Sequence, residues 1–136
     1  MKANELMIGD WVNLSKGNWS ENRQVELIDI EMIAESVYLA EPIPITPDVL
    51  EKNGWKHEFD KTDYMVKYDL KKEGKNCWMM WSIKDHNFDI QMQDEKLDIY
   101  NLKVSRVVIP CDYVHELQHA LKLCGIDKEI VIGKEN

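Results

Sequence analysis

The chain has no run of apolar residues near the roughly 18 that a membrane-spanning helix needs. Its opening Met1-Lys2-Ala3-Asn4-Glu5 lacks the basic and then apolar layout of a signal peptide. The expectation is a cytoplasmic protein. Cysteine is scarce: Cys77, Cys111 and Cys124 are an odd number without C-x-x-C spacing, which argues against a disulfide framework and fits reduced, buried thiols. Of the three, Cys111 is the one expected near a helix N-terminus, where a thiolate is favoured. Six glycines and four prolines are too few for a low-complexity or collagen-like chain. Basic charge is also in deficit, and a formal net charge of −8 opposes the phosphate attraction behind most non-specific nucleic-acid affinity. Finally, there is no G-x-S-x-G, no G-x-x-x-x-G-K-[ST] and no G-x-G-x-x-G.

What is present is an ordinary globular composition. With 136 residues and 44% hydrophobic content, the chain can bury roughly two thirds of its unfolded surface in one domain without a covalent staple. Leu6-Met7-Ile8-Gly9-Asp10-Trp11-Val12-Asn13-Leu14 reads as a turn at Gly-Asp leading into a first strand, and residues 15–22 as a loop. In residues 24–34, Val25, Leu27, Asp29, Glu31 and Ile33 alternate with Glu26, Ile28, Ile30 and Met32, which predicts a strand; a shorter one follows at 37–40. Such a ribbon is compatible with a small SH3-like barrel.

Glu41-Pro42-Ile43-Pro44-Ile45 must be extended, because a residue before proline is pushed away from helical angles. Thr46 then predicts an N-cap, with Pro47 at the first helical position, a helix over 47–53, and Gly54 as its left-handed stop with Trp55 folding back. Between 64 and 92 the period is two, predicting a three-stranded meander. Tyr64, Val66, Tyr68 and Leu70 share one face, as do Cys77, Met79, Trp81 and Ile83, and then Phe88, Ile90 and Met92. A further strand or strand pair is expected over 99–109, a helix from about 112 to 123 ending at Gly125, and a last strand over 129–132. The fold class expected is α+β in a single domain, 1–136: an N-terminal β ribbon over about 1–45 and an α+β remainder over 46–136, with a mainly antiparallel sheet, one short helix and one C-terminal helix.

His115-Glu116-Leu117-Gln118-His119 matches the H-E-x-x-H pattern, in which two imidazoles one helical turn apart grip Zn²⁺ while the Glu acts as base on its water. The extended pattern fails, since Lys122 and Gly125 stand where a glycine and a third histidine belong. At about 100° per residue, Tyr113, Val114, Leu117, Ala120, Leu121 and Cys124 form one apolar stripe and the histidines fall nearly opposite, so they are expected to face water. Asp112, one turn before His115, completes a trio with His115 and His119 that could take up metal at a surface. His57 and His86 read as loop or surface histidines.

Three blocks resemble a family of short, uncharacterised proteins common in Bacteroides and related gut bacteria, often found among prophage and other mobile-element genes. They are Asn4-Glu5-Leu6-Met7-Ile8-Gly9-Asp10-Trp11-Val12, then Glu41-Pro42-Ile43-Pro44-Ile45-Thr46 through Gly54-Trp55, then Tyr113-Val114-His115-Glu116-Leu117-Gln118, about a third of the chain. The family's usual form reads Pro-Ile-Pro-Leu-Thr and Gly-Phe in the middle block, so Ile45 and Trp55 are departures. In the last block the family reads Val-His-x-Leu-Gln and then Asn. His119 takes the Asn place and Glu116 the variable one, which makes the H-E-x-x-H a local coincidence. The resemblance implies no established activity. Of the residues that match its motif, Leu117 is expected in the core, with His115 and Gln118 hydrogen-bonding to a neighbouring loop or strand, the alternative being a binding surface.

The resulting expectation is a non-enzymatic accessory or protein-interaction protein of mobile-element origin, with an unknown protein partner and no cofactor. Its binding-surface candidates are His115, Gln118, His119 and Lys122, with the edges of the N-terminal ribbon. One alternative is a small zinc hydrolase with His115 and His119 as ligands and Glu116 as base. Another is an SH3-like nucleic-acid or peptide-binding module.

Overall fold

The computed structural model describes residues 1–57, 63–70, 75–82, 85–94 and 104–133. The chain divides into two compact units, one made of Met1–Ile45 with Tyr113–Asn136 and the other of Thr46–Asp112. The boundary after residue 45 falls where the proline-rich connector ends. The C-terminal helix, which sequence order groups with the second part, belongs to the first unit. The architecture is α+β with antiparallel sheets.

In the first unit, a 3-10 turn (Ala3–Glu5) precedes strands β1 (Trp11–Lys16) and β2 (Trp19–Gln24), helix α1 (Leu27–Ala34) and strand β3 (Leu39–Pro42). The sheet order is β2-β1-β3, an open three-stranded sheet rather than a closed barrel, so the SH3-like expectation is not met among the described residues. The segment expected as a loop is the β1–β2 hairpin, closed by the pair Lys16 and Trp19 across Gly17 and Asn18. Gly17 has a φ of +59°, as the tight turns of hairpins require.

Residues 24–34 are the main correction, since the expected strand is largely helix α1. Glu26 is its extended N-cap residue, with its N–H donating to Asp29 Oδ2 at 2.9 Å, and Asp29 also holds Arg23 Nη1 at 3.1 Å. Val25 and Ile33 are buried at opposite ends of this segment, and Ile30 packs against the same core. Their spacing is a helical stripe, hidden in the sequence because Leu27, Ile28 and Met32 are apolar too and satisfy either period. The helix lies over Val12, Leu14 and Ala40, with Leu6, Met1, Ala3 and Tyr38 completing the cluster. Val12 and Leu14 are fully buried, each contributing about 1.5–3 kcal/mol by removal from water.

The second unit begins with α2 (Pro47–Lys52), where the Thr46 side chain accepts the Val49 N–H at 3.3 Å. Gly54 has a φ of +93°, and the Trp55 N–H donates back to the Leu50 carbonyl at 2.9 Å, as the sequence predicts. Strands β4 (Lys56–His57), β5 (Asp63–Leu70), β6 (Lys75–Ser82), β7 (Asn87–Asp94) and β8 (Val104–Pro110) form one antiparallel sheet in chain order. The expected three-stranded meander is therefore the centre of a five-stranded one. Met79 pairs with Ile90 and Trp81 with Phe88, and all four side chains are buried on one face. Trp81 Nε1 donates to the Cys111 carbonyl at 3.0 Å. Cys111 is buried and Cys124 half-buried, and burial raises the Cys124 thiol above its ordinary value. Residues 99–103 of the expected strand lie outside the described residues.

The first unit is completed by α3 (Val114–Leu123), a turn at Gly125 with φ +70°, and a segment over 126–133. Among the described residues the strand expected over 129–132 pairs with no other strand, although Ile130 and Ile132 are buried and Val131 exposed between them.

Candidate functional site

The H-E-x-x-H stretch lies in the first two turns of α3. Tyr113 is the extended N-cap residue, and its N–H donates to Glu116 Oε1 at 3.0 Å, holding that carboxylate at the positive end of the helix. Val114, Leu117, Ala120 and Leu121 are buried, as the apolar stripe predicts, whereas Tyr113 at its edge is 38% exposed.

The two histidines expected to face water from the helical period do not, and Gln118 between them bonds to a neighbouring turn. His115 is only 9% exposed, Gln118 is half-buried, and the His119 side chain is 31% exposed. The reason is the turn at Gly9, Asp10 and Trp11, which α3 packs against.

That turn is fixed by its own bonds. Gly9 has a φ of +95°, its N–H donates to the Val25 carbonyl at 2.8 Å, and the Asp10 N–H donates to Met7 at 3.0 Å. The Asp10 side chain is fully buried, and its Oδ2 accepts the Met7 N–H at 2.8 Å. On this platform the Gln118 amide acts as a two-point clamp. Its Oε1 accepts the Trp11 N–H at 2.8 Å and its Nε2 donates to the Gly9 carbonyl at 2.9 Å. At the next residue, His119 Nε2 lies 2.6 Å from Asp10 Oδ2. Trp11 adds a third tie, with Nε1 donating to the Ile130 carbonyl at 2.7 Å.

His115 sits beside this clamp. Its ring stacks near Tyr113 at 6.1 Å and meets His119 edge-on at 5.7 Å between centroids. Its Nδ1 and Asp10 Oδ1 are both buried without a hydrogen-bond partner. Burial lowers the His115 imidazole below its ordinary value of 6.5. Asp10, Glu116 and Glu5 pull it back up, while His119 lowers it further.

A zinc hydrolase needs imidazole nitrogens free for metal and a glutamate free for water. Here His119 Nε2 touches a carboxylate and Glu116 caps the helix. Asp112, the third member of the trio, belongs to the other unit and lies 2.9 Å from His86 Nδ1 at an exposed site. Among the described residues, no group of three or more His, Cys, Asp or Glu side chains could hold a metal ion.

Beyond the clamp, an open cleft of about 200 Å³ is lined by Gly9, Gln24, Gln118, Lys122, Lys128 and Ile130 among others. Gln24 Nε2 also donates to the Gly9 carbonyl, at 3.2 Å. Lys122 is exposed, and burial lowers the Lys128 ammonium from its ordinary value.

The site therefore depends on Asp10, Trp11 and Gln24, which reasoning from the motif alone does not reach. The signal for them is the Gly-Asp-Trp turn, whose buried acid needs a partner somewhere in the chain. All three blocks that carry the family resemblance reach this helix. The first supplies Gly9, Asp10 and Trp11, and the third supplies Gln118. The middle block supplies the Ile43 carbonyl, which accepts the Val114 N–H at 2.8 Å, and Pro44, which bridges to Tyr113. No helix among the described residues is long and apolar enough to cross a membrane. Comparison with protein-family models, with curated proteins and with solved structures returns no match for this chain.

Proposed function

We propose that the protein is a non-enzymatic accessory protein that works in the cytoplasm by binding another protein, in keeping with its resemblance to short proteins of prophage and mobile-element origin. The observation that carries this reading is the use of the H-E-x-x-H residues within the fold. Glu116 caps α3, His119 holds Asp10, and Gln118 joins Gly9 to Trp11. A motif engaged in this way fastens a helix, with Glu116 and His119 already held by partners inside the fold.

Outside the clamp, Lys122 is exposed on α3, and the sheet edges β2 and β3 carry Trp19 at 39% and Leu39 at 68% exposure. Sheet edges and helix flanks are the surfaces through which small domains capture extended or helical segments of partners. The net charge of −8 disfavours nucleic acid in that role.

The test is photocrosslinking in cells with a photoreactive residue at Lys122, at Leu39 or, as a control, at the exposed Asp48 of the other unit. The expected result is one discrete protein adduct from Lys122 or Leu39 and none from Asp48. Absence of adducts at all three positions overturns the reading. So does stoichiometric zinc in protein purified without added metal and lost in His115→Ala, which would favour a hydrolase with Glu116 as base.

A further inference from the structure

The least compensated chemistry in the first unit is the group of Asp10, His115 and His119. Asp10 is fully buried and presents two oxygens. Oδ2 serves the Met7 N–H and His119 Nε2, while Oδ1 has no partner. His115 is buried and its Nδ1 has no partner either. Two imidazoles one helical turn apart, 5.7 Å between centroids, thus stand over a single carboxylate.

We propose that this cluster is a proton-sensitive latch, in which a proton on His115 loosens α3 from the turn at Gly9, Asp10 and Trp11. That proton places a cation on a buried ring whose Nδ1 has no acceptor, while Asp10 Oδ2 is already engaged by the Met7 N–H and by His119.

The charged and titratable groups facing His115 are Asp10 from the turn, Glu5 from the 3-10 turn, and Glu116 and His119 on its own helix. Glu5 is exposed and accepts the Lys2 N–H, and Glu116 accepts the Tyr113 N–H, so both are held by other partners. Burial outweighs all three acids, and the neutral imidazole is the form the fold favours. A histidine whose folded value is depressed contributes stability that is present above its unfolded value of 6.5 and lost as pH falls below it. Acid should therefore release the helix, exposing Leu117 and Leu121 where α3 had been fastened.

The experiment is amide hydrogen exchange on the full chain between pH 7.5 and pH 5.5, corrected for intrinsic rates and read at the Trp11 amide, whose partner is Gln118. Amides of β6 in the other unit serve as the reference. In the wild type, Trp11 protection should fall relative to β6 by up to about tenfold per pH unit below the ordinary histidine value. His115→Gln, which cannot be protonated, should flatten that profile. If His115→Gln fails to fold, His115→Leu is the second variant. It carries no titratable group at that position and should flatten the profile as well. Unchanged Trp11 protection in the wild type, or an equal loss in the folded variants, overturns the latch. A chelator that removes Trp11 protection at pH 7.5 also overturns it, because the cluster would then hold a metal.

Discussion

Truncating Gln118 to alanine asks directly whether this side chain fastens α3. The substitution removes no buried apolar surface of consequence, since the residue is half-buried and polar, and alanine is the best helix former. Its effect should therefore come from two hydrogen bonds. The Trp11 N–H, whose acceptor is 2.8 Å away, loses its partner at the mouth of the sheet, a loss of about 1–3 kcal/mol when the donor stays buried. The Gly9 carbonyl keeps Gln24 Nε2 at 3.2 Å, so losing the 2.9 Å bond from Gln118 adds only about 0.5–1 kcal/mol. Water entering through the adjoining cleft recovers part of the first loss, and the net expectation is about 2 kcal/mol. The assay is urea unfolding followed by far-UV circular dichroism, with exchange at the Trp11 amide as the local reading. The unfolding slope should stay constant, the midpoint should fall, and Trp11 protection should drop by about 30-fold, the population change that 2 kcal/mol produces. A change below about 0.5 kcal/mol, the ordinary range of surface substitutions, would mean that the amide clamp does not fasten the helix.

The remaining predictions use the same unfolding assay. Asp10→Ala strips the acceptor from the Met7 N–H and the partner from His119, and should cost about 2–3 kcal/mol. His119→Asn, which can still donate to Asp10, should stay within about 1 kcal/mol of the wild type; equal losses in the two variants would refute the pairing. Trp11→Phe keeps most of the buried ring but leaves the Ile130 carbonyl without its donor, for an expected loss of about 1–2 kcal/mol. Leu117→Ala, at a position 1% exposed, should cost about 2–5 kcal/mol through transfer and cavity together. Thr46→Ala removes the α2 cap and should cost about 1 kcal/mol, read from amides of the Thr46–Asp112 unit.

These sites differ in how far the sequence revealed them. The caps and stops were legible, because Thr46-Pro47, Gly54 and Gly125 act through local backbone angles and need no distant partner. The alternation over residues 64–92 was legible for a similar reason, since the register Met79 with Ile90 and Trp81 with Phe88 follows from a period of two and short turns. Helix α1 was not, because a segment apolar on nearly every side has no period to read, and its start is set by Glu26 and Asp29 rather than by a serine or threonine cap. Nor was the burial of His115. Helical periodicity gives the direction a side chain takes from its own axis and says nothing about what packs there. The polar flank of α3 meets a turn more than 100 residues earlier in the chain, with Gln118 and Gly9 separated by 109 positions.

The bridge between Pro44 and Tyr113 makes the two points where the chain leaves and re-enters the first unit near neighbours. Topologically, Thr46–Asp112 is a guest inserted into a split host. Everything that completes the host, from the Val114 bond at Ile43 to the Trp11 bond at Ile130, is made only after the whole guest has been synthesised. On the ribosome the guest can settle first while β1–β3 wait for their helix, and the waiting sheet's edges are then open to pairing with other chains. Because the exit and entry strands are already held side by side, a short Gly-Ser link from residue 45 to residue 113 should close the host without the guest.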